Sequence, residues 1–384
     1  MLRQTDDFAI SCTNQKTADK IFDLIGQKLQ LPLEDTPPFE TFGLLQDFNG
    51  VDINQTKQYI EIACPEYIDR ILRSHNWFDI NTSSHPSSPL PEDSIHKLYA
   101  EVLGPNGGGP KEGTAEHLQL QNEMGFSYRT LLGELMFAYV SCRPDIAYAV
   151  TTLSKFSNFP TKLHYTFLKG VVFYLKQTKN WGIRYHRNCS ATDFHDDLPE
   201  GNFDDQPRPL PDNFPSFPDL DPTELSVFVD AAYANDPRKR RSTTGFAILL
   251  AGGAVVYRSK TQSVTALSST EAEFFAAIAA AKLVKYMRSL LQELQMPPTK
   301  PTIIYEDNEA CIKVINARHP TDRTKHIETP YFRIQDWKQR GDIVMKHIPG
   351  ILNPSDAATK PCGWVLHSRH SRRIMGHFNT NKHS

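Results

Sequence analysis

The 384-residue sequence predicts an α/β fold in its C-terminal part, a mixed sheet with flanking helices, preceded by a less regular α+β segment. Three observations carry this. After residue 223, three β-rich runs, a long helix, another β-rich run and further helices follow one another, an order that α/β folds share. The long helix, 271–295, is alanine-rich and keeps Phe274, Ala277, Ile278, Ala281, Val284, Met287, Leu291 and Leu294 on one face. Two breaker-dense stretches divide what comes before: 82–116, with Pro86, Pro89, Pro91 and the run Gly107-Gly108-Gly109-Pro110, and 188–222, with seven prolines.

Taken in order, an alternating N-terminal stretch precedes a helix over 16–29, a strand near Val51–Ile53 and a helix around 66–74, an incomplete α+β unit. Residues 82–116 read as a linker or long loop. From Ser127 to Tyr185, apolar residues recur at helical spacing (Leu131, Leu132, Leu135, Met136, Tyr139, then Phe167, Val171, Tyr174, Leu175), broken by Arg143-Pro144-Asp145. That pattern fits two or more packed helices. The stretch 188–222 carries nine acidic residues and only Arg208 as a basic one between Asp193 and Pro222, so like charge and proline favour an extended chain. Next, Leu225–Val229 forms a short strand ending in Asp230, and 245–250 with 254–258 form a hairpin across Ala251-Gly252-Gly253. Pro297-Pro298 ends the long helix. A strand at 302–305, a helix from Asn308 to about Ala317, a helix from Pro330 to Gln339 and a strand at 342–347 complete the pattern. The expected division is 1–81, a linker at 82–126, a helical segment 127–187, an acidic Pro-rich linker 188–222, an α/β domain 223–365 and a basic tail 366–384.

Composition narrows the function classes. Six scattered cysteines show no Cys-x-x-Cys spacing, which argues against a zinc site or disulfide framework and for reduced thiols in an intracellular protein. No apolar run reaches signal-peptide or membrane-span length, so no membrane partner is expected. The net charge of −2 is unevenly spread: 223–384 holds 23 basic and 14 acidic residues, a net of +9, leaving −11 upstream. The C-terminal part therefore has an electrostatic reason to approach a polyanion.

Four acids have the placement that metal chemistry needs. Asp230 and Asp307 are expected at strand ends, where α/β folds put their sites. If their strands are adjacent, two carboxylates meet, and like charges that close call for a cation; hard divalent ions take oxygen ligands. Each Asp alone equally fits a turn or cap. At the start of the long helix, Ser268 and Glu271 match a capping box, in which the Glu reaches back to the N-cap amide. Glu273, beside the buried stripe, is then free to face the sheet, although it also fits a solvated acid on the helix dipole. Asp356, in Asn353-Pro354-Ser355-Asp356, sits where it or Ser355 can cap a last short helix. Together the four suit two-metal phosphodiester hydrolysis.

The run from Phe228 to Lys360 resembles the ribonuclease H domain of copia-type LTR retrotransposon Pol polyproteins. Six ordered motifs carry the resemblance: V-D-A-A-Y-A at 229–234, R-K-R-R-S-T-T-G-F at 238–246, S-S-T-E-A-E-F at 268–274, Y-E-D-N at 305–308, R-T-K-H-I at 323–327 and N-P-S-D-A-A-T-K-P at 353–361. It implies a ribonuclease H-like fold and metal-binding acids at Asp230, Glu273, Asp307 and Asp356. Two ions, Mg²⁺ or Mn²⁺, and an RNA/DNA hybrid substrate are implied with them. Where the family often has a second acid and Trp after the first Asp, this chain has Ala232 and Tyr233. Upstream, G-E-L-M-F-A-Y-V at 133–140, R-P-D-I-A-Y-A-V at 143–150 and Y-L-K-Q-T-K-N-W-G-I at 174–183 are similar to the segment joining reverse transcriptase to ribonuclease H. T-D-D-F-A-I at 5–10 is similar to the polymerase Y-V-D-D turn, with Asp6 and Asp7 as its acidic pair. The N-terminal part is thus expected to be a truncated reverse transcriptase palm and thumb remnant, without the upstream Asp that polymerisation requires.

Hybrids are recognised through phosphates and 2′-hydroxyls. Arg238, Lys239, Arg240 and Arg241 form one candidate phosphate clamp, and Arg323, Lys325 and His326 another; His326 and His347 are candidates for proton transfer. Each run equally fits a solvated turn. The resemblance implies other Pol or Gag products as partners, and a cytoplasmic virus-like particle or the nucleus as the compartment. Two further readings stay open: a degenerate remnant that binds nucleic acid without cutting it, and a related integrase-type scaffold with different acid spacing.

Overall fold

The computed structural model describes residues 2–4, 7–9, 15–29, 45–81, 88–103, 107–187, 198–201, 215–317 and 328–377. At the N-terminus, β1 (Leu2–Gln4) and β2 (Asp7–Ala9) pair antiparallel with Gln4 opposite Asp7, and α1 (Gln15–Leu29) matches the expected helix. A four-stranded antiparallel sheet follows in the order β3 (Asp47–Phe48), β4 (Val51–Gln55), β5 (Tyr59–Ala63) and β6 (Ile183–His186), the last arriving from far along the chain. Between β5 and β6 lie α2 (Pro65–Ser74), α3 (Ser94–Leu103), α4 (Ala115–Met124), α5 (Tyr128–Ser141), α6 (Ala147–Ser154) and α7 (Lys162–Gln177). Their apolar faces share one core, centred on Ile68, Leu98, Leu131, Leu135, Val150 and Leu168.

One expectation fails here. The stretch 82–116 is no plain linker, because α3 lies inside it with Ser94, Leu98 and Tyr99 buried. The flanking Pro91 and Gly107 mask a helix only ten residues long, too short to show a clear period. The second linker, 188–222, lies mostly outside the described residues; its edges are anchored, with Leu198 buried and Phe217 and Leu220 against the following sheet.

Beyond it, β7 (Ser226–Asp236), β8 (Arg241–Leu250) and β9 (Gly253–Thr261) run antiparallel, α8 (Ser269–Glu293) crosses over, and β10 (Thr302–Glu306) returns parallel to β7. Then come α9 (Glu309–Asn316), α10 (Glu328–Gln339), β11 (Ile343–His347), two 3₁₀ turns at Gly350–Leu352 and Pro354–Ala358, and α11 (Trp364–Ile374). The sheet order is β11-β10-β7-β8-β9, with β11 parallel to β10. This mixed sheet with helices on both faces is the ribonuclease H-like fold. Strand alternation sorts its two faces. Val227, Val229, Phe246 and Ile248 pack with α8, whereas Phe228, Ala247 and Leu249 pack with Leu352 and Ile374 on the other side.

The segment expected as a basic tail is packed, not loose. His367, His370 and Ser371 of α11 are buried, and the Met375 carbonyl accepts from the Arg184 amide of β6 at 2.8 Å. Among the described residues no helix is long and apolar enough to cross a membrane.

Candidate active site

Two parallel strands set the site. Phe228 and Tyr305 are register partners whose rings stack with centroids 5.0 Å apart, so Asp230 and Asp307, two residues further on, come side by side. The expected strand end at Asp230 is corrected. β7 runs on past it because β8 keeps pairing, Asp230 to Gly245 and Ala232 to Thr243, and it is β10 that ends there. Gly245 has a specific reason to be glycine: a Cβ there would lie 2.5 Å from Thr359 Cγ2 and 2.9 Å from Ala358 Cβ. Its absence lets the 354–358 turn press onto the sheet beside Asp230.

The helix start resolves the two acids of α8. Ser268 Oγ accepts from the Glu271 amide at 3.2 Å, and the Glu271 carboxylate accepts from the Leu267 amide at 2.7 Å, one residue before the cap. Glu271 is occupied, while Glu273 is 6% exposed with Oε2 unpartnered. Among the described residues, Asp230, Glu273 and Asp307 form a set whose ligand oxygens all lie within 4.8 Å of one another.

Asp356 stands outside that set. It lies in the 354–358 turn, whose cap is Asn353 and neither Ser355 nor Asp356: Asn353 Oδ1 accepts from the Ser355 amide at 3.2 Å, and its Nδ2 donates to the Val229 carbonyl at 2.8 Å. Thr359 Oγ1 donates to Asp230 Oδ2, and Lys360 pairs with Asp356 at 2.8 Å. One short segment thus braces one acid and neutralises another.

The acids strain against each other. Burial, then the charges of Glu306, Asp230 and Asp307, push Glu273 up to about 11. Asp356 is pushed up to about 7 by burial and Asp230, with Lys360 pulling the other way. Burial and Asp230 raise Asp307 as well. Lys360, against a burial that lowers it, is held above the ordinary lysine range by Asp230 and Asp356. Buried like charges without compensation cost several kcal/mol, on the order of what a bound cation would relieve. The donor set is all oxygen, which fits a hard divalent ion such as Mg²⁺ or Mn²⁺.

The remaining predicted residues disperse. Arg238 is drawn into the fold: it pairs with Asp236 at 3.5 Å and lies over the Tyr99 and Phe156 rings at 5.4 and 5.2 Å. Lys239 and Arg240 stay exposed, and Arg241 is half-buried. His347 is exposed at the end of β11, in register with Glu306. Arg323, Lys325, His326 and Asp6 lie outside the described residues, and of Asp7 only its strand is described. Sequence reasoning passed over Glu306, which is fully buried beside Asp307. It also passed over Thr359 and Lys360, although both stand in the motif that carries Asp356.

A cavity of about 530 Å³ adjoins the site, lined by Tyr99 and His96 of α3, Tyr148, Asn235 and Lys360. The helical part therefore supplies one wall of the space beside the carboxylates.

A scan against protein-family models found no match. The chain is 28% identical over 335 residues, 87% of its length, to the retrovirus-related Pol polyprotein from transposon TNT 1-94 of Nicotiana tabacum. It is 25% identical over 361 residues to the corresponding protein from transposon RE1 of Arabidopsis thaliana. It spans about a fifth of the length of these relatives, 22% and 20%. A 149-residue stretch is 34% identical to secreted RxLR effector protein 161 of Plasmopara viticola and covers 82% of it. Among solved structures, the compost metagenome protein LC11-RNase H1 is 16% identical, with 36% of this chain and 93% of that one covered and a TM-score of 0.29. Transposon Pol polyproteins thus match this chain along 87–97% of its length at 24–28% identity, and its acids gather where the shared motifs fall.

Proposed function

We propose that the chain is a metal-dependent nuclease of the ribonuclease H type, cutting the RNA strand of RNA/DNA hybrids. One observation carries the reading: three carboxylates from β7, α8 and the end of β10 converge within 4.8 Å, largely buried. Asp230, Glu273 and Asp307 would hold Mg²⁺ or Mn²⁺, with Asp356 completing a second position. Bound divalent ions supply an activated water and stabilise the leaving 3′ oxygen. The protein's own share is orientation. Thr359 fixes one oxygen of Asp230, Asn353 fixes the turn that carries Asp356, and Lys360 holds that carboxylate in place. Exposed Lys239 and Arg240 would meet phosphates without reading sequence.

Purified chain should cleave an RNA/DNA hybrid and not the matching DNA duplex, only with Mg²⁺ or Mn²⁺ present. Asp307→Asn should lower the rate by more than about 100-fold. Absence of cleavage by the intact chain sinks the enzyme reading, and salt-dependent hybrid binding without cleavage would favour the non-catalytic remnant.

A further inference from the structure

We propose that Glu306 is a further carboxylate of the cation site, a positioning residue that backs Glu273 and Asp307 and sets how tightly they hold a divalent ion. The inference rests on the metal-dependent reading of that site. Its starting point is strand alternation. Along β10, Ile304 packs into the core under α8 and Tyr305 into the core on the opposite face. Glu306 follows Ile304 to the α8 side, toward Glu273, while Asp307 turns toward Asp230 and Gly350, where a Cβ would lie 2.9 Å from Asp307 Oδ2. The two acids of the Y-E-D-N motif therefore diverge as β10 ends, Glu306 toward the α8 side and Asp307 toward Asp230 and Gly350.

Burial and an unanswered oxygen make the case. Glu306 is 0% exposed; its Oε1 accepts from the Asn308 amide at 3.0 Å, and its Oε2 is buried with no partner. Glu273 Oε2 is in the same condition. Lys360 is bound to Asp356 on the other face of the sheet. The α8 side has the Cys311 thiol for a buried neighbour, which feels both Glu306 and Glu273 and offers no positive charge. A carboxylate enclosed this completely, with one oxygen unsatisfied, is costly unless the site it faces takes a cation. Glu306 is also the largest charge acting on Glu273. Groups that back metal ligands in this way tune affinity as well as orientation.

The test measures Mn²⁺ binding by calorimetry on the full chain without nucleic acid, and hybrid cleavage separately. Glu306→Gln keeps the size and the Asn308 contact but removes the charge, and should weaken Mn²⁺ binding by about tenfold or more. Glu306→Asp, which keeps the charge, should recover part of that loss. Should the Gln variant fail to fold, Glu306→Asp alone decides, since withdrawing the carboxylate by one methylene must also weaken binding. Native affinity in folded Glu306→Gln, or in Glu306→Asp when that is the folded variant, overturns the proposal, as does an intact chain that binds no Mn²⁺. If Mn²⁺ binds and the substitutions weaken it while no hybrid is cut, the role of Glu306 stands and the nuclease reading falls.

Discussion

Glu271 and Glu273 lie two positions apart on α8, and their surroundings divide the labour between them. Glu271 closes the helix start through Leu267 and Ser268, whereas Glu273 turns inward to Asp230 and Asp307. Glu271→Ala should cost about 0.5–2 kcal/mol in urea unfolding and leave Mn²⁺ affinity alone. Glu273→Gln should do the reverse; equal loss of Mn²⁺ binding in both would remove the distinction. A second expectation concerns pH in the metal-free chain. Glu273, pushed up to about 11, and Asp356, to about 7, keep protons when folded that the unfolded chain releases from about pH 4 upward. The folded state then binds more protons, so stability falls as pH rises, through about 7 for Asp356 and beyond for Glu273. Melting in chelator should drop from pH 5 to pH 8, and Mg²⁺ should stabilise more at pH 8; a flat profile in chelator contradicts this. Cap spacing separated Glu271 from Glu273 in the sequence, and the fold sets Glu273 beside Asp230 and Asp307. Glu306 escaped because adjacent acids in a motif read as one feature until alternation separates them.

At the scale of elements, the long amphipathic α8, the hairpin of β8 and β9 and the strands β10 and β11 were all legible, since each shows a full period or a glycine turn. What the sequence hid was pairing. Nothing local says that β8 extends β7 beyond Asp230, or that β10 stops level with it. α3 was hidden for another reason: ten residues between prolines and glycines resemble a linker, although Leu98 is fully buried. Leu98→Ala should cost about 2–5 kcal/mol in thermal unfolding, where a true linker residue would cost almost nothing. Because α3 also lines the cavity beside the carboxylates, the same variant reports whether that wall must be rigid for hybrid cleavage.

Across the whole molecule, the helical core and the five-stranded sheet are joined through a buried polar network built from the motifs at 143–150 and 174–183. The Arg143 and Asp145 side chains are both wholly buried and paired at 2.6 Å; Tyr174 donates to Asp145 at 2.8 Å and lies 3.2 Å from His367 of α11. On the other edge, Tyr257 of β9 donates to the Tyr139 carbonyl at 2.6 Å. Although burial works against ionisation, Arg143 holds Asp145 below the usual carboxylate range. Asp145→Asn leaves that arginine without its counter-charge, held only by the Thr178 carbonyl and hydroxyl, and should cost about 3–5 kcal/mol, read as a lower urea midpoint by tryptophan fluorescence. A midpoint unchanged from native would mean the two parts do not support each other.

The packed C-terminal segment has a consequence for folding order. β6 is completed by partners made much later in the chain: His186 bonds the Gly376 carbonyl at 2.7 Å and His377 bonds the Gly182 carbonyl at 2.7 Å, across 190 and 195 residues. During synthesis those groups wait for 190 residues or more to emerge. The junction is thus a late, high-contact-order step, and until it closes the ribosome-bound helical core carries an unfinished sheet.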